Sequence, residues 1–183
     1  MALIITGNPG VGKHTLAKNL GKILNYNILD INQIAIESGI YEKNDQTLDV
    51  DVNKLKKLLK NKIKSKSIIV GHLAPYVVTT KYVDRAIILR KNPYKLVPIY
   101  KKRKYSRKKI SENIGSEILG IIAYDCIKKF GIKKSYSIDT TGKSISKITN
   151  LVIKSLKGKF KNDEVDWLAL VSKKNDLKKF FPY

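Results

Sequence analysis

Leu3-Ile4-Ile5-Thr6-Gly7-Asn8-Pro9-Gly10-Val11-Gly12-Lys13-His14-Thr15-Leu16 is the stretch whose reading decides the fold. The apolar run Ala2 to Ile5 reads as a strand buried on both faces, as in a parallel sheet. Beyond the loop, Leu16, Ala17, Leu20 and Ile23 recur at helical spacing. Strand, glycine-rich turn, lysine, hydroxyl and helix in that order make a phosphate cradle. Its glycines let successive backbone N–H groups point inward at phosphate oxygens, and the helix N-terminus adds partial positive charge. Lys13 is the side chain that reaches the terminal phosphates. The pattern implies binding of a nucleoside triphosphate through Gly10, Gly12, Lys13, His14 and Thr15.

The place directly after the lysine narrows the class. Ser or Thr commonly stands there as a ligand of Mg²⁺, whereas this chain has His14, with the hydroxyl one position later at Thr15. The spacing G-x-P-G-x-G-K-x-T is similar to that of nucleoside monophosphate kinases rather than GTPases or motor ATPases. Two roles are open to His14: a backbone N–H given to phosphate with an idle ring, which is favoured, or a catalytic imidazole.

Composition sets the outer bounds. A length of 183 residues suits one α/β domain with small insertions, large enough for a sizeable core. No apolar run approaches membrane-spanning length, so no membrane partner is expected. The first strand runs straight into the loop, so the start reads as core rather than as a cleaved leader. Cys126 is the only cysteine; it excludes an internal disulfide and fits a reducing compartment, with the cytoplasm expected.

Charge is the unusual feature: 37 Lys+Arg stand against 15 Asp+Glu, a formal net charge of +22. Such a balance implies attraction to polyanions, whether nucleic acid, ribosomal particles or nucleotides. Only Arg85, Arg90, Arg103 and Arg107 are arginine, a bias that an AT-rich genome also produces. Lysine reads base edges poorly, so sequence-specific recognition is not expected.

Taken in order, the chain alternates strands with helices. Strands are expected at Tyr26–Ile31, Ser67–Val70, Ala86–Leu89 and Tyr136–Ile138, in addition to the first. Helices are expected over Gln33–Ser38 (capped by Asn32), Lys54–Lys64, a long Ile110–Phe130 ended by Gly131, and Ser146–Leu156. Tyr41 to Asp51 is acidic against the general trend, with Glu42, Asp45, Asp49 and Asp51. This alternation predicts a P-loop NTPase: a five-stranded parallel sheet with helices on both faces and ligands at the carboxyl ends of the strands.

Several further segments carry a resemblance. Gly7 to Thr15, Asp49-Val50-Asp51, Gly71-His72, Arg90-Lys91-Asn92-Pro93 and Arg103-Lys104-Tyr105 match, in sequence and order, one family. So do Ile110-Ser111-Glu112-Asn113-Ile114, Glu117-Ile118, Asp139-Thr140-Thr141-Gly142 and Val165-Asp166-Trp167-Leu168. The chain resembles the archaeal branch of the adenylate kinase isoenzyme 6-like family, the atypical nuclear adenylate kinases or coilin-interacting nuclear ATPases. The resemblance implies an adenylate kinase-like fold in which residues 1–160 form the core. Within it lie a nucleoside-monophosphate-binding arm at about 30–51 and a lid at about 102–112, and residues 161–183 form an extension on the core. It implies a broad-specificity nucleoside monophosphate kinase and ATPase that uses Mg²⁺ with ATP, and AMP or similar monophosphates as acceptors. It also implies a part in late small-subunit ribosome maturation, with a platform ribosomal protein and 16S rRNA as transient partners.

The chemistry agrees with that expectation from its own side. Phosphoryl transfer rests on positioning and on positive charge around the moving group. Lys13 is the fixed cation, and the run Lys101 to Lys109 can supply mobile ones as a lid closes. Arg103 is the first choice in that run, with a solvated basic face as the alternative. Arg90 either reaches the same phosphates or caps local structure. By the resemblance, His72 matches a histidine implicated in hydrolysis; a satisfied turn histidine is the plainer reading. Asp30, Asp49, Asp51 and Arg90 are the expected acceptor-side residues, and Gly142 and Lys143 the expected adenine side. Thr15, with Asp30, is the expected Mg²⁺ site. The chain departs from the family at Val70, where an acidic residue is usual, and at Ile99, where a second lid arginine is common. A mainly hydrolytic assembly factor, or a small-metabolite kinase of the shikimate or gluconate type, is the alternative. The tail Phe180-Phe181-Pro182-Tyr183 reads as packing rather than as an interaction peptide.

Overall fold

Ala2–Thr6 (β1) is buried at every position, and the sheet is assembled around it in a computed structural model describing residues 1–44, 47–158 and 161–181. The chain continues through Lys13–Leu24 (α1), Asn27–Asp30 (β2), Ile31–Glu37 (α2), Tyr41–Asn44 (β3), Thr47–Val50 (β4) and Val52–Lys62 (α3). Ser67–Val70 (β5), Ala74–Val77 (α4), Val83–Arg90 (β6), Pro93–Lys102 (α5), Arg107–Leu119 (α6) and Ile121–Phe130 (α7) follow. Ser135–Asp139 (β7), Ile145–Leu156 (α8), Trp167–Lys173 (α9) and Leu177–Phe180 (α10) complete the described elements.

Five strands form one sheet in the order β2-β5-β1-β6-β7, all neighbours parallel. The fold is that of a P-loop NTPase. Side chains alternate across β1, so Ala2 and Ile4 enter one apolar layer, with α2, α3, α4 and α7. Leu3 and Ile5 enter the other, with α1, α5, α6, α8 and α9. Because all five strands run the same way, Gly7, Asp30, Gly71-His72, Arg90 and Asp139 arrive at one edge. That convergence is why separate segments can share one site.

Several expectations change. The single helix expected over Ile110–Phe130 is two, α6 and α7, broken at Gly120. Gly120 sits at φ 67°, where an L side chain is strained, and its N–H bonds the Glu117 carbonyl. Asp30, not Asn32, caps α2: one carboxylate oxygen accepts from the Asn32 and Gln33 N–H groups. The acidic segment holds a small antiparallel hairpin, β3–β4, with Glu42 opposite Asp49. Asp45 lies outside the described residues, as do Pro182 and Tyr183 of the tail. The helix α5 was unforeseen although its start carries a plain signal: Asn92 caps it through the Tyr94 N–H, with Pro93 at the first helical position.

The C-terminal segment packs along the open side of β7, the last strand of the sheet. Asn162 accepts from the Ser137 N–H and Asp163 from the Asp139 N–H, so this stretch covers β7. Tyr94 gives its hydroxyl hydrogen to Asp176 at 2.6 Å, and the Phe180 ring meets it edge-on at 5.2 Å.

Candidate active site

At the carboxyl edge of the sheet lies a cleft of about 570 Å³ with the phosphate loop as one wall. Gly12 caps α1 at φ 101°, a conformation open to glycine, and no side chain satisfies the first N–H groups of the helix. Those N–H groups are the orphan donors that an anion takes up. The loop is pinned from behind, where Tyr100 donates its hydroxyl to the Pro9 carbonyl at 2.7 Å. A Cβ at Gly10 would stand 3.2 Å from Leu96, Ile99 and Tyr100. Ile99, where the family resemblance expected an arginine, is therefore packing behind the loop.

Lys13 is the buried cation of the cleft. Its ammonium donates to the Asn8 carbonyl at 2.8 Å. Burial, helped by the Arg103 charge and opposed by Glu117 and Asp30, brings it from 10.5 down to about 8. It remains mostly protonated at neutral pH and is aimed along the loop.

Beneath the loop is a charged floor. Glu117 is fully buried, and one of its oxygens accepts from Arg90 Nε at 2.7 Å, the Lys91 N–H at 3.1 Å and Trp167 Nε1 at 3.0 Å. The other accepts from the Asn8 amide at 2.8 Å. Arg90 gives a further bond to the Glu117 carbonyl at 2.7 Å. Arg90 is thus bound into buried structure and is not among the residues that line the cleft.

The remaining candidates divide. Gly10, Gly12, Lys13, His14, Thr15, His72 and Arg103 all line the cleft. His72 follows β5, and burial, reinforced by Lys13 and Lys109, pushes its imidazole down to about 4, so it is neutral at pH 7. The His14 ring is not idle: its Nε2 lies 2.9 Å from the carboxylate of Asp30. Asp30 pairs in register with Val70 on the adjacent strand, so the expected acidic position and its replacement are neighbours. Burial pulls the Asp30 carboxyl up, but the His14 contact and the α2 N–H groups outweigh it and leave it lowered. Asp49 and Asp51 line a second hollow of about 500 Å³ under the hairpin, and Val50 lines both spaces. Asp51 also caps α3 through the Asn53 and Lys54 N–H groups. Gly142 and Lys143 do not line the cleft; Lys143 bonds Asp163 and the Asp139 carbonyl, each at 2.7 Å.

Thr15 and Asp30 do not by themselves form a cage for Mg²⁺. Thr15 opens onto the cleft. One Asp30 oxygen is taken by α2 and the other by His14. No cluster of three or more His, Cys, Asp or Glu suited to a metal occurs among the described residues. The donor set fits an ion carried mainly by nucleotide phosphates and water rather than by a protein cage.

The sequence marked Glu117 only as part of a family match and did not show that its carboxylate binds Asn8, Arg90 and Trp167. Glu117 falls between Ile114 and Ile118 on the buried face of α6, and a carboxylate on an apolar stripe was the available signal. Tyr76, from α4, lines the cleft without having been singled out, whereas Lys109 of the expected basic run and Asn113 of the family match line it from α6.

The AAA domain family matches residues 3–120. The chain is 33% identical over 172 residues to a "Putative adenylate kinase" of Saccharolobus solfataricus, covering 92% of this chain and 88% of that protein. It is 31% identical over 172 residues to a "Putative adenylate kinase" of Thermococcus kodakarensis, covering 91% of this chain and 93% of that protein. The chain belongs to an adenylate kinase-like family. Solved structures agree on the fold of this adenylate kinase-like chain. Shikimate kinase from Bacteroides thetaiotaomicron superposes with a TM-score of 0.53 at 17% identity, over 86% of this chain and 98% of that one. Deoxyadenosine kinase from M. mycoides gives 0.50 at 16% identity, over 86% of this chain and 100% of that one.

Proposed function

We propose that this chain is an ATP-dependent nucleoside monophosphate kinase of broad specificity, with ATPase activity at the same site. The observation that carries the reading is the convergence of Arg103 and buried Lys13 on one cleft over the phosphate loop. The curated relatives, each named a putative adenylate kinase, supply the acceptor class.

In the proposed reaction the bond between Pγ and the β–γ bridging oxygen breaks, and a bond from Pγ to an acceptor phosphate oxygen forms. The loop N–H groups and Lys13 hold the triphosphate. Arg103, at the turn between α5 and α6, supplies charge from the opposite wall. Mg²⁺ bound with ATP would be held by the phosphates and Thr15, with Asp30 contributing through water, and would neutralise phosphate charge. The hairpin arm holding Asp49 and Asp51 and the turn holding Arg103 are the segments placed to close on the ligands. The chain's own groups position and exclude water; an acceptor phosphate oxygen needs no protein base.

A second reading, mainly hydrolysis, is favoured by His72. A neutral imidazole in the cleft can accept a hydrogen bond from an attacking water and orient it, which transfer to a phosphate does not require. That reading goes with the isoenzyme 6-like resemblance and with a role in late small-subunit maturation in the cytoplasm. The net charge of +22 supports contact with rRNA, and contact with a platform protein rests on the family resemblance alone.

The test is a side-by-side measurement of ATPase and monophosphate kinase rates for the wild type and Lys13→Ala. Both rates are expected to fall by orders of magnitude in the variant. No ADP from ATP with any of AMP, CMP, UMP or GMP would remove the kinase reading. Binding of diadenosine pentaphosphate across both sites supports a nucleotide acceptor over a small metabolite. Failure to co-sediment with pre-small-subunit particles in every nucleotide state would remove the ribosomal role.

A further inference from the structure

The carboxylate of Glu117 joins two parts of the chain that have no sequence relation. Through one oxygen it holds the indole N–H of Trp167, the first residue of α9, and through the other the amide of Asn8 in the phosphate loop. Asn8 is bound twice over, because its carbonyl also receives the Lys13 ammonium at 2.8 Å. A triphosphate in the cleft competes for that ammonium, so ligand binding acts on Asn8 directly. Glu117 itself has no room to absorb the change. It is fully buried, clamped by Arg90 on two bonds and by the Lys91 N–H. Trp167, partly buried and at the start of a helix outside the sheet, is the member of the set with freedom to move.

We propose that Glu117 is a positioning residue for the phosphate loop and that Trp167 is its outer anchor, coupling α9 to the state of the nucleotide site. Neither touches nucleotide: each acts through Asn8. The proposal rests on the reading of the cleft as a nucleoside triphosphate site. It adds that the C-terminal segment senses and steadies the loop, rather than merely covering the sheet edge. A carboxylate serving four donors fixes the loop tightly because each bond restrains the others.

Trp167 is the only tryptophan in the chain, so the coupling can be read without a label. The full chain is titrated with ATP and Mg²⁺ while binding is followed by calorimetry and emission by fluorescence. In the wild type, emission is expected to shift in proportion to occupancy. In Asn8→Ala, where the link to the carboxylate is cut, the emission shift is expected to be lost even at nucleotide concentrations that calorimetry shows to be saturating for that variant. Trp167→Phe keeps an aromatic side chain but removes the N–H and part of the indole volume; kcat is expected to fall about tenfold, the loss of one hydrogen bond to a charged group. In the Asn8→Ala background the same substitution is expected to change kcat by less than about twofold, because the route is already broken. A purely structural Trp167 would instead give equal factors in both backgrounds. Binding in the wild type with no emission change, or an emission change retained in Asn8→Ala, overturns the coupling while leaving the nucleotide reading intact. No heat and no emission change on adding ATP overturns both.

Discussion

The floor of the cleft and its rim are built on opposite terms. Lys13, Glu117 and Arg90 are each no more than 6% exposed and tied by short bonds to the loop or to one another. Arg103 and Tyr76 on the rim are exposed, and the His14 side chain is half exposed. The floor exists before any ligand arrives, whereas the rim cations stand on a turn between two helices, where ligand charge can gather them. The contrast teaches where stability and catalysis reside. Disturbing the floor should cost folding, and disturbing the rim should cost rate alone. Lys13 is the exception, since it belongs to the floor by burial and to the reaction by charge.

The largest effect expected is on folding. Glu117→Ala leaves Arg90 buried without its partner and the Asn8 and Trp167 donors unmet, a loss of about 3–5 kcal/mol. The midpoint of denaturant unfolding reads it. An unchanged midpoint would mean that the floor is not fixed by this carboxylate. Lys13→Met should separate the two properties within one residue. Its rates should drop about 10²–10³-fold, as when a donor to developing charge is removed. Stability at pH 7 should rise, because a cation whose burial lowers its pKa to about 8 is replaced by an apolar side chain of similar length. Equal losses of rate and stability would break the distinction. Arg103→Ala tests the rim: kcat should fall about tenfold with stability changed by less than about 0.5 kcal/mol.

What could be read from the chain follows the same division. The loop, its lysine and its helix are contiguous, so their chemistry is legible as a motif, and β1 declares itself by its apolar run. The floor is not contiguous: Asn8 and Glu117 are 109 positions apart, and only the parallel order of β1 and β6 with α6 beneath brings them together. Arg90 showed the limit directly, since a strand-end arginine reads equally as a phosphate ligand or as a buried partner until Glu117 is placed. His14 was read as a backbone donor because the turn alone says nothing of β2. Its ring finds Asp30 only because β5 sits between β1 and β2 and aligns the two strand ends. The helix break at Gly120 was obscured by continuous apolar spacing on either side. It is set by a glycine packed against the Arg90 guanidinium, with 3.3 Å left for any Cβ.

The smallest effect expected is nearly the absence of one, and it distinguishes the two titratable groups that meet at the cleft. His72 is held neutral, with its pKa brought to about 4, so its charge does not change across the neutral range. Hydrolysis that uses it should vary by less than about twofold between about pH 6 and 7.5, rather than rise through the ordinary histidine value. A rise centred near that value would show that His72 is not desolvated in the working enzyme. In folding the sign is fixed by the lowered pKa. The unfolded chain takes up this proton first, so the contribution of His72 is complete above about pH 6.5 and is lost as pH falls toward 4. Lys13 behaves differently at the other end. Above about pH 8 the empty cleft loses the ammonium, so ATP affinity should weaken. From there toward 10.5 the unfolded chain holds more protons than the folded one, so stability from this group rises as binding falls. Binding and folding therefore move in opposite directions with alkaline pH if Lys13 is both the floor's buried cation and the ligand's partner. Parallel falls in both would assign the titration to some other group.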